Sequence, residues 1–398
     1  MPLTILHVSQ PADGGVAQVV ADLVRGQVAD GHRVVLACPA EGRLAPVARA
    51  AGAQLRGWSA RRAPGPGLPG EVAALRRIVA DTDPQLVHLH SAKAGLAGRL
   101  AVRGARPTVF QPHAWSFAAV GGPTARAARA WERWATRWTD RLLCVSEQER
   151  REGEAAGLRG RWALAPNGLD LDRYDSARLP VQAQARTALR LEPQGPLAVC
   201  VGRLCRQKGQ DVLLRAWAGV PGRVPGARLA LVGDGPDRAA LEALAGALPD
   251  PGSVLFAGHA EDPRDWYAAA DLMVLPSRWE GMALAPLEAM ACSRPVLLTD
   301  VSGARECLPQ GSPAPLPVED PDALREALVQ RLSDREACRR EGLRAWLDVF
   351  DRRDVRLTRQ RVARVYDEVL GEARDASRQA SPNAHQHVDG HKDMTISH

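Results

Sequence analysis

Only three lysines, Lys93, Lys208 and Lys392, occur among the 52 basic side chains of this 398-residue sequence. Arginine supplies the rest of the positive charge, so each surviving lysine is worth locating. The seven cysteines are scattered, with no CxxC pair and none spaced near a histidine cluster, and neither a disulfide framework nor structural zinc is expected. No stretch reaches the ~18 uncharged apolar residues that a membrane span needs. The opening MPLTILHVSQPADGG lacks a basic start and a cleavable apolar run, so the chain is expected to remain in the cytoplasm, with peripheral contact at the inner face of a membrane as an option. The first Gly-Gly turn, Gly14 and Gly15, is not part of a GxGxxG fingerprint, which argues against a nicotinamide dehydrogenase.

What is present is ample material for a core. Hydrophobic residues make up 45% and charged residues 25% of the chain, a globular composition, and at ~150 residues per domain the length suggests two or three domains. The charge is uneven: residues 1–190 carry 26 basic against 16 acidic side chains, whereas 191–398 carry 26 against 30. The basic half should meet something anionic: nucleic acid, a membrane surface or a phosphorylated substrate.

Apolar runs and amphipathic stretches alternate along the chain. A strand over 3–9, a helix over about 16–30 and a strand over 33–37 make a βαβ start, and the alternation continues through a strand at 142–145. After a loop-rich stretch at 166–194 it begins afresh, with strands expected at 197–201, 228–232, 254–257, 272–275 and 295–298 and a helix at 282–292. This pattern predicts two tandem α/β domains, each a doubly wound parallel sheet, with the boundary near 180–190. A long helix is expected over 353–370, and the polar, aperiodic residues from Asp375 onward are expected to be a disordered tail.

Three constellations could carry chemistry. In WEGMALAPLEAMA, Glu280 and Glu288 flank the predicted start of a helix, and Pro286 belongs early in one because its missing N–H would be unpaired there anyway. Backbone N–H groups at such a helix mouth favour an anion, while carboxylates there suit sugar hydroxyls. The competing reading is that both are ordinary first-turn acids. In VGRLCRQKG, Arg203 and Lys208 lie on a loop flanked by Gly202 and Gly209 between a strand and a helix, a placement that suits a diphosphate. Solvated surface charge is the alternative. Gly14 and Gly15 could present backbone N–H groups to a ligand, although a tight βα turn also wants glycine. His113, and similarly His88, His90 and Lys93, follow or line strand ends where they could meet a sugar or simply satisfy backbone groups.

Two further patterns are weaker. Asp81/Asp83 and Asp170/Asp172 are Asp-x-Asp pairs in predicted turns, read as local hydrogen bonding, and no metal is inferred. Trp131, Trp134 and Trp138 form one stripe of a helix whose other stripe carries Arg126, Arg129, Arg133, Arg137 and Arg141. That is usually a core face with a solvated back, and alternatively a membrane-surface helix.

The paired-glutamate block and GRLCRQKG resemble the retaining glycosyltransferases of family 4, and the Gly-Gly loop, HLHSAKAG and PNGLD agree with that family over about residues 3–370. The resemblance implies a GT-B fold: two Rossmann-like domains facing a central cleft, with the last helix crossing back to the first. It implies an acceptor-binding domain at 1–185, a nucleotide-sugar-binding domain at 186–352, a returning helix at 353–374 and a tail at 375–398. By the same likeness the protein would be a hexosyltransferase-type enzyme; no cofactor is expected, and with the Asp-x-Asp pairs read as turn residues no metal either. It would move sugar from a nucleotide diphosphate donor, UDP or GDP, to an acceptor such as a lipid-linked glycan in polysaccharide or glycoconjugate synthesis. Arg203 and Lys208 would hold the donor diphosphate, Glu288 the ribose and Glu280 the donor sugar, with His113 beside the transferred sugar. Gly14, Gly15 and the backbone of Gly281, Met282, Ala283 and Leu284 would complete the donor site. No nucleic-acid partner is expected. A nucleotide-sugar 2-epimerase of similar fold and a non-catalytic nucleotide-sugar-binding protein are the competing functions. The sequence departs from the family at Ala283, where glycine or serine is usual, and at Ser293, where glycine is usual and a left-handed helix cap would be lost.

Overall fold

The structure, a computed structural model, describes residues 2–174 and 179–379. Seven parallel strands form the first sheet: β1 (Thr4–Ser9), β2 (Arg33–Cys38), β3 (Gln54–Gly57), β4 (Leu86–His90), β5 (Thr108–Gln111), β6 (Arg141–Cys144) and β7 (Trp162–Leu164), in the order β3-β2-β1-β4-β5-β6-β7. Five more form the second: β8 (Leu197–Val201), β9 (Arg228–Val232), β10 (Val254–Gly258), β11 (Leu272–Leu275) and β12 (Val296–Leu298), in the order β10-β9-β8-β11-β12. Both orders reverse beside the first strand of the sheet, so each sheet is doubly wound with a switch point where ligands bind at the strand C-termini.

Strands buried on both faces by crossover helices should be apolar throughout, and β9 and β11 are, from Leu229 to Val232 and from Leu272 to Leu275. The first sheet breaks that rule at its centre. β1 carries His7 and β4 carries His88 and His90, all fully buried. Since side chains alternate along a strand, His88 and His90 share a face, and the pairing of His7 with His88 puts His7 on it too.

Helix Val355–Gln379 runs back over the first sheet's helices. The Arg359 guanidinium donates to the Asp22 carbonyl at 2.9 Å, lying where a side chain on Gly26 would be, and Tyr366 reaches β4. Arg141 pairs with Glu372 at 3.0 Å. The helix extends through Gln379, beyond the expected start of the tail at Asp375; the rest of that segment, with its histidines, lies outside the described residues.

Several elements have no counterpart in the sequence reading. Strand Gln54–Gly57 is a mostly exposed edge with a single apolar residue, and helix Glu147–Ala155 is almost wholly polar, so neither has a hydrophobic period. Helix Gln182–Ala188 falls in the expected loop region, and helices Pro321–Ser333 and Arg335–Arg352 precede the returning helix. Helix Leu284–Ala291 begins two residues later than predicted because Met282 is tied down, its carbonyl accepting from the Asn167 amide at 2.8 Å. Ser293, after that helix, keeps the left-handed conformation at φ 59° despite its side chain.

Candidate active site

The second unit builds its part of the site from two loops. After β8 the chain makes a single 3-10 turn, Arg206–Lys208, ending at Gly209 with φ 68°. A Cβ on Gly209 would fall 2.0 Å from the Pro276 carbonyl oxygen, so only glycine allows this loop to approach the one after β11. Arg278 fastens the two together: it forks onto Asp211 at 2.8 and 2.9 Å and donates to the Arg206 carbonyl at 2.8 Å, holding the Asp211 carboxyl below its usual range chiefly through that hydrogen bond. Sequence reasoning passed over Arg278 because one arginine among 49 carries no signal of its own.

The joined loops bring Lys208 Nζ within 2.7 Å of Glu280 Oε1, an oxygen that also accepts from the Ser277 hydroxyl at 2.7 Å. Gln207 donates to the Trp279 carbonyl at 3.0 Å. An ammonium has three N–H donors, so the ion pair leaves Lys208 two with which to meet a ligand. Arg203 is exposed on the same loop. Glu288 is separate again: on helix Leu284–Ala291 it accepts from the Tyr267 hydroxyl at 2.9 Å, and burial raises its carboxyl above the ordinary range. The four charged groups therefore resolve into one contact pair and two flanking positions.

The first unit supplies the facing wall. Gly15 lies opposite Leu284, with 3.9 Å from a Cβ there to the leucine side chain, and Gly281 abuts the backbone of His113 and Ala114. His113 and Ala114 both have positive φ, 55° and 121°, an unusual pair of non-glycine residues in that region. Glu149 holds them: its carboxylate accepts from the Ala114 N–H at 2.7 Å and from the Val145 N–H at 2.8 Å. Burial pushes the Glu149 carboxyl up to about 7 against those two hydrogen bonds. Glu149 was missed, although Ser146-x-x-Glu149 is a capping-box spacing that could have found it. Ser146 Oγ accepts from the Glu149 N–H at 3.1 Å and donates to the Gly281 carbonyl at 3.0 Å, so the cap also joins the two units. Glu306 does the same from the other side, accepting from the N–H groups of Glu147 and Gln148 at 2.9 and 3.1 Å at a helix N-terminus.

Behind His113 lies the histidine group of β1 and β4. His113 Nε2 is 3.2 Å from His90 Nδ1, His90 Nε2 is 2.9 Å from His7 Nδ1, and His7 Nε2 is 2.7 Å from Gln27 Oε1. His88 Nδ1 meets the Tyr366 hydroxyl at 2.7 Å. Burial lowers all four imidazoles, His7 to about 4 and His113 to about 3, so all are neutral at pH 7. Ring nitrogens of His7, His88 and His90 lie within 4.8 Å of one another, a spacing that could hold a metal ion. Lys93, by contrast, is spent on structure, paired with Glu71 at 2.6 Å and donating to the Ala63 carbonyl at 3.3 Å. Trp134 is exposed, with its ring against Trp138 and the Arg137 guanidinium 4.9 Å away. Among the described residues no helix is long and apolar enough to cross a membrane.

Comparison with known proteins gives these walls a context. Residues 13–173 match the model of the glycosyltransferase family 4 and residues 195–334 that of the glycosyl transferases group 1. The lipopolysaccharide core biosynthesis mannosyltransferase LpsB of Rhizobium meliloti is 32% identical over 201 residues, 47% of this chain; the chain spans about half, 53%, of that relative's length. The GDP-mannose-dependent alpha-(1-6)-phosphatidylinositol monomannoside mannosyltransferase of Mycolicibacterium smegmatis is 31% identical over 279 residues, covering 67% of this chain and 72% of its own. The crystal structure of Anabaena HepE in complex with UDP and glucose superimposes with a TM-score of 0.79 at 21% identity, over 92% of this chain and all of that one, which shows the shared GT-B fold. The chain belongs to the glycosyl transferases group 1, with the two-domain architecture of family 4.

Proposed function

We propose that the protein transfers a sugar, with retention of anomeric configuration, from a UDP- or GDP-sugar to an acceptor bound mainly by the first unit, in the synthesis of a lipid-linked glycan. The observation that carries this reading is the 2.7 Å contact of Lys208 with Glu280 beside the start of helix Leu284–Ala291, on the wall facing His113. Lys208, Arg203 and the N–H groups from Gly281 to Leu284 meet the diphosphate, Glu280 the donor sugar and Glu288 the ribose; the Gly14–Gly15 turn closes the far side. When the glycosidic bond breaks, negative charge grows on the departing phosphate, so cations aimed there stabilise the transition state more than the ground state. The acceptor hydroxyl attacks from the same face, forming the new bond to the anomeric carbon while its proton passes to the leaving phosphate. The name of the mycobacterial relative makes GDP-mannose the first donor to try. The exposed Trp134 beside Arg137 supports peripheral contact with an anionic membrane.

A thermal-shift panel of GDP, UDP, ADP and their sugars tests the donor site, because a ligand at 100 times its Kd stabilises by ~2.7 kcal/mol. One nucleotide class should raise the melting temperature; no shift from any of them would remove the donor site, and conversion of a donor without acceptor would replace transfer with epimerisation.

A further inference from the structure

The buried histidines form a directed chain. With Gln27 Oε1 on His7 Nε2, that nitrogen carries the proton and His7 Nδ1 is an acceptor. His90 must then donate from Nε2 to His7, which leaves His90 Nδ1 as the acceptor for His113 Nε2–H. Each junction has one permitted polarity once the first is fixed, because a neutral imidazole has one donor and one acceptor. The other end of the Gln27 amide, its Nε2, lies 3.4 Å from the Tyr366 hydroxyl, which reaches His88 Nδ1 at 2.7 Å. Turning that amide over would reverse every proton in the row.

We propose that Gln27, acting through His7 and His90, is a positioning residue that fixes His113 as the Nε2–H tautomer and leaves its Nδ1 lone pair to accept a hydrogen bond from a ligand hydroxyl. The lowered imidazoles support this, since only neutral rings can hold such a polarity. Gln27 lines, with Tyr366, Asp30, His32 and Arg359, a cavity of about 420 Å³ between helices Gly14–Ala29 and Val355–Gln379. The chain therefore runs from that groove across the sheet to the cleft, and the returning helix completes its outer end. A metal held by His7, His88 and His90 is the rival use of the same nitrogens, because it would take the lone pairs the chain needs.

That His113 meets a sugar rests on the proposed function, but the tautomer does not. Nitrogen-15 NMR of the full chain labelled at histidine reads it without substrate, with His113→Asn assigning the signal. The wild-type protein should show His113 as a single Nε2–H tautomer, and Gln27→Met, of matched length, should populate both. In the same variant kcat with the active donor should fall about tenfold with KM unchanged, the rate equivalent of one lost hydrogen bond. A mixed tautomer in the wild type, an unchanged His113 signal in Gln27→Met, or stoichiometric zinc lost on His88→Asn would each overturn the proposal. A tautomer shift without any nucleotide turnover would leave the relay standing and sink the transfer reaction alone.

Discussion

The two units reach the cleft by opposite routes. The second places its chemistry on loops: the glycine at 209 lets two strand ends approach, and Lys208 and Glu280 meet where they do. The first places its chemistry inside the sheet, where three histidines replace the apolar residues of β1 and β4 and only His113 stands at the rim. Loops can be altered at little cost to a fold, whereas a buried polar row must be satisfied throughout or it destabilises the sheet. The charged loop side chains of the second unit should therefore lose function when changed, whereas Gly209, whose backbone joins the two loops, and the polar row of the first unit should lose stability as well.

Lys208→Ala gives the largest expected effect, a fall of at least ~100-fold in nucleotide release, because under the proposed function it removes a charge aimed at the leaving group. Wild-type turnover would take Lys208 out of the site. Gly209→Ala should follow, destabilising by about 2–3 kcal/mol in urea unfolding, since its Cβ meets the Pro276 carbonyl and its φ is positive; an unchanged midpoint would show that the loops need not approach.

Glu149→Gln probes the wall that the first unit presents to the cleft. Its amide cannot accept from both the Ala114 and Val145 N–H groups through oxygen, so a loss of about 1–3 kcal/mol is expected. The sign of its pH dependence also follows. The Glu149 carboxyl sits near 7 in the folded protein and at its ordinary 4.5 when unfolded, so the folded state binds the extra proton and wild-type stability from this group falls as pH rises from 4.5 to 7. The gap between variant and wild type should narrow over that window, and a gap that widens would contradict the burial argument. Ser293→Gly should yield the smallest change, a gain of about 1 kcal/mol in urea unfolding, by relieving a left-handed serine; no gain would mean the serine side chain offsets its backbone strain.

How much was legible in the sequence follows the same division. Lys208, Glu280 and the flanking glycines stood out because charge and glycine beside strand ends are local signals, and the strands at 228–232 and 272–275 coincide with their apolar runs. Glu288 was visible as an acid, but not that Tyr267 would hold it. The row from Gln27 to His113 spans residues 27, 7, 90 and 113, and its order exists only after β1 pairs with β4 in one register. Arg278 acts through a contact across 67 residues, beyond any spacing rule, while the capping-box spacing marks Glu149 as a helix-start acid but not its contact with Ala114, 35 residues away.

Amide hydrogen exchange with and without saturating nucleotide diphosphate tests the cleft most directly. Slowed exchange should concentrate in residues 202–209 and 281–289, on the wall that carries Lys208 and the start of helix Leu284–Ala291. Protection confined to other segments, under conditions where the nucleotide is bound, would contradict the account.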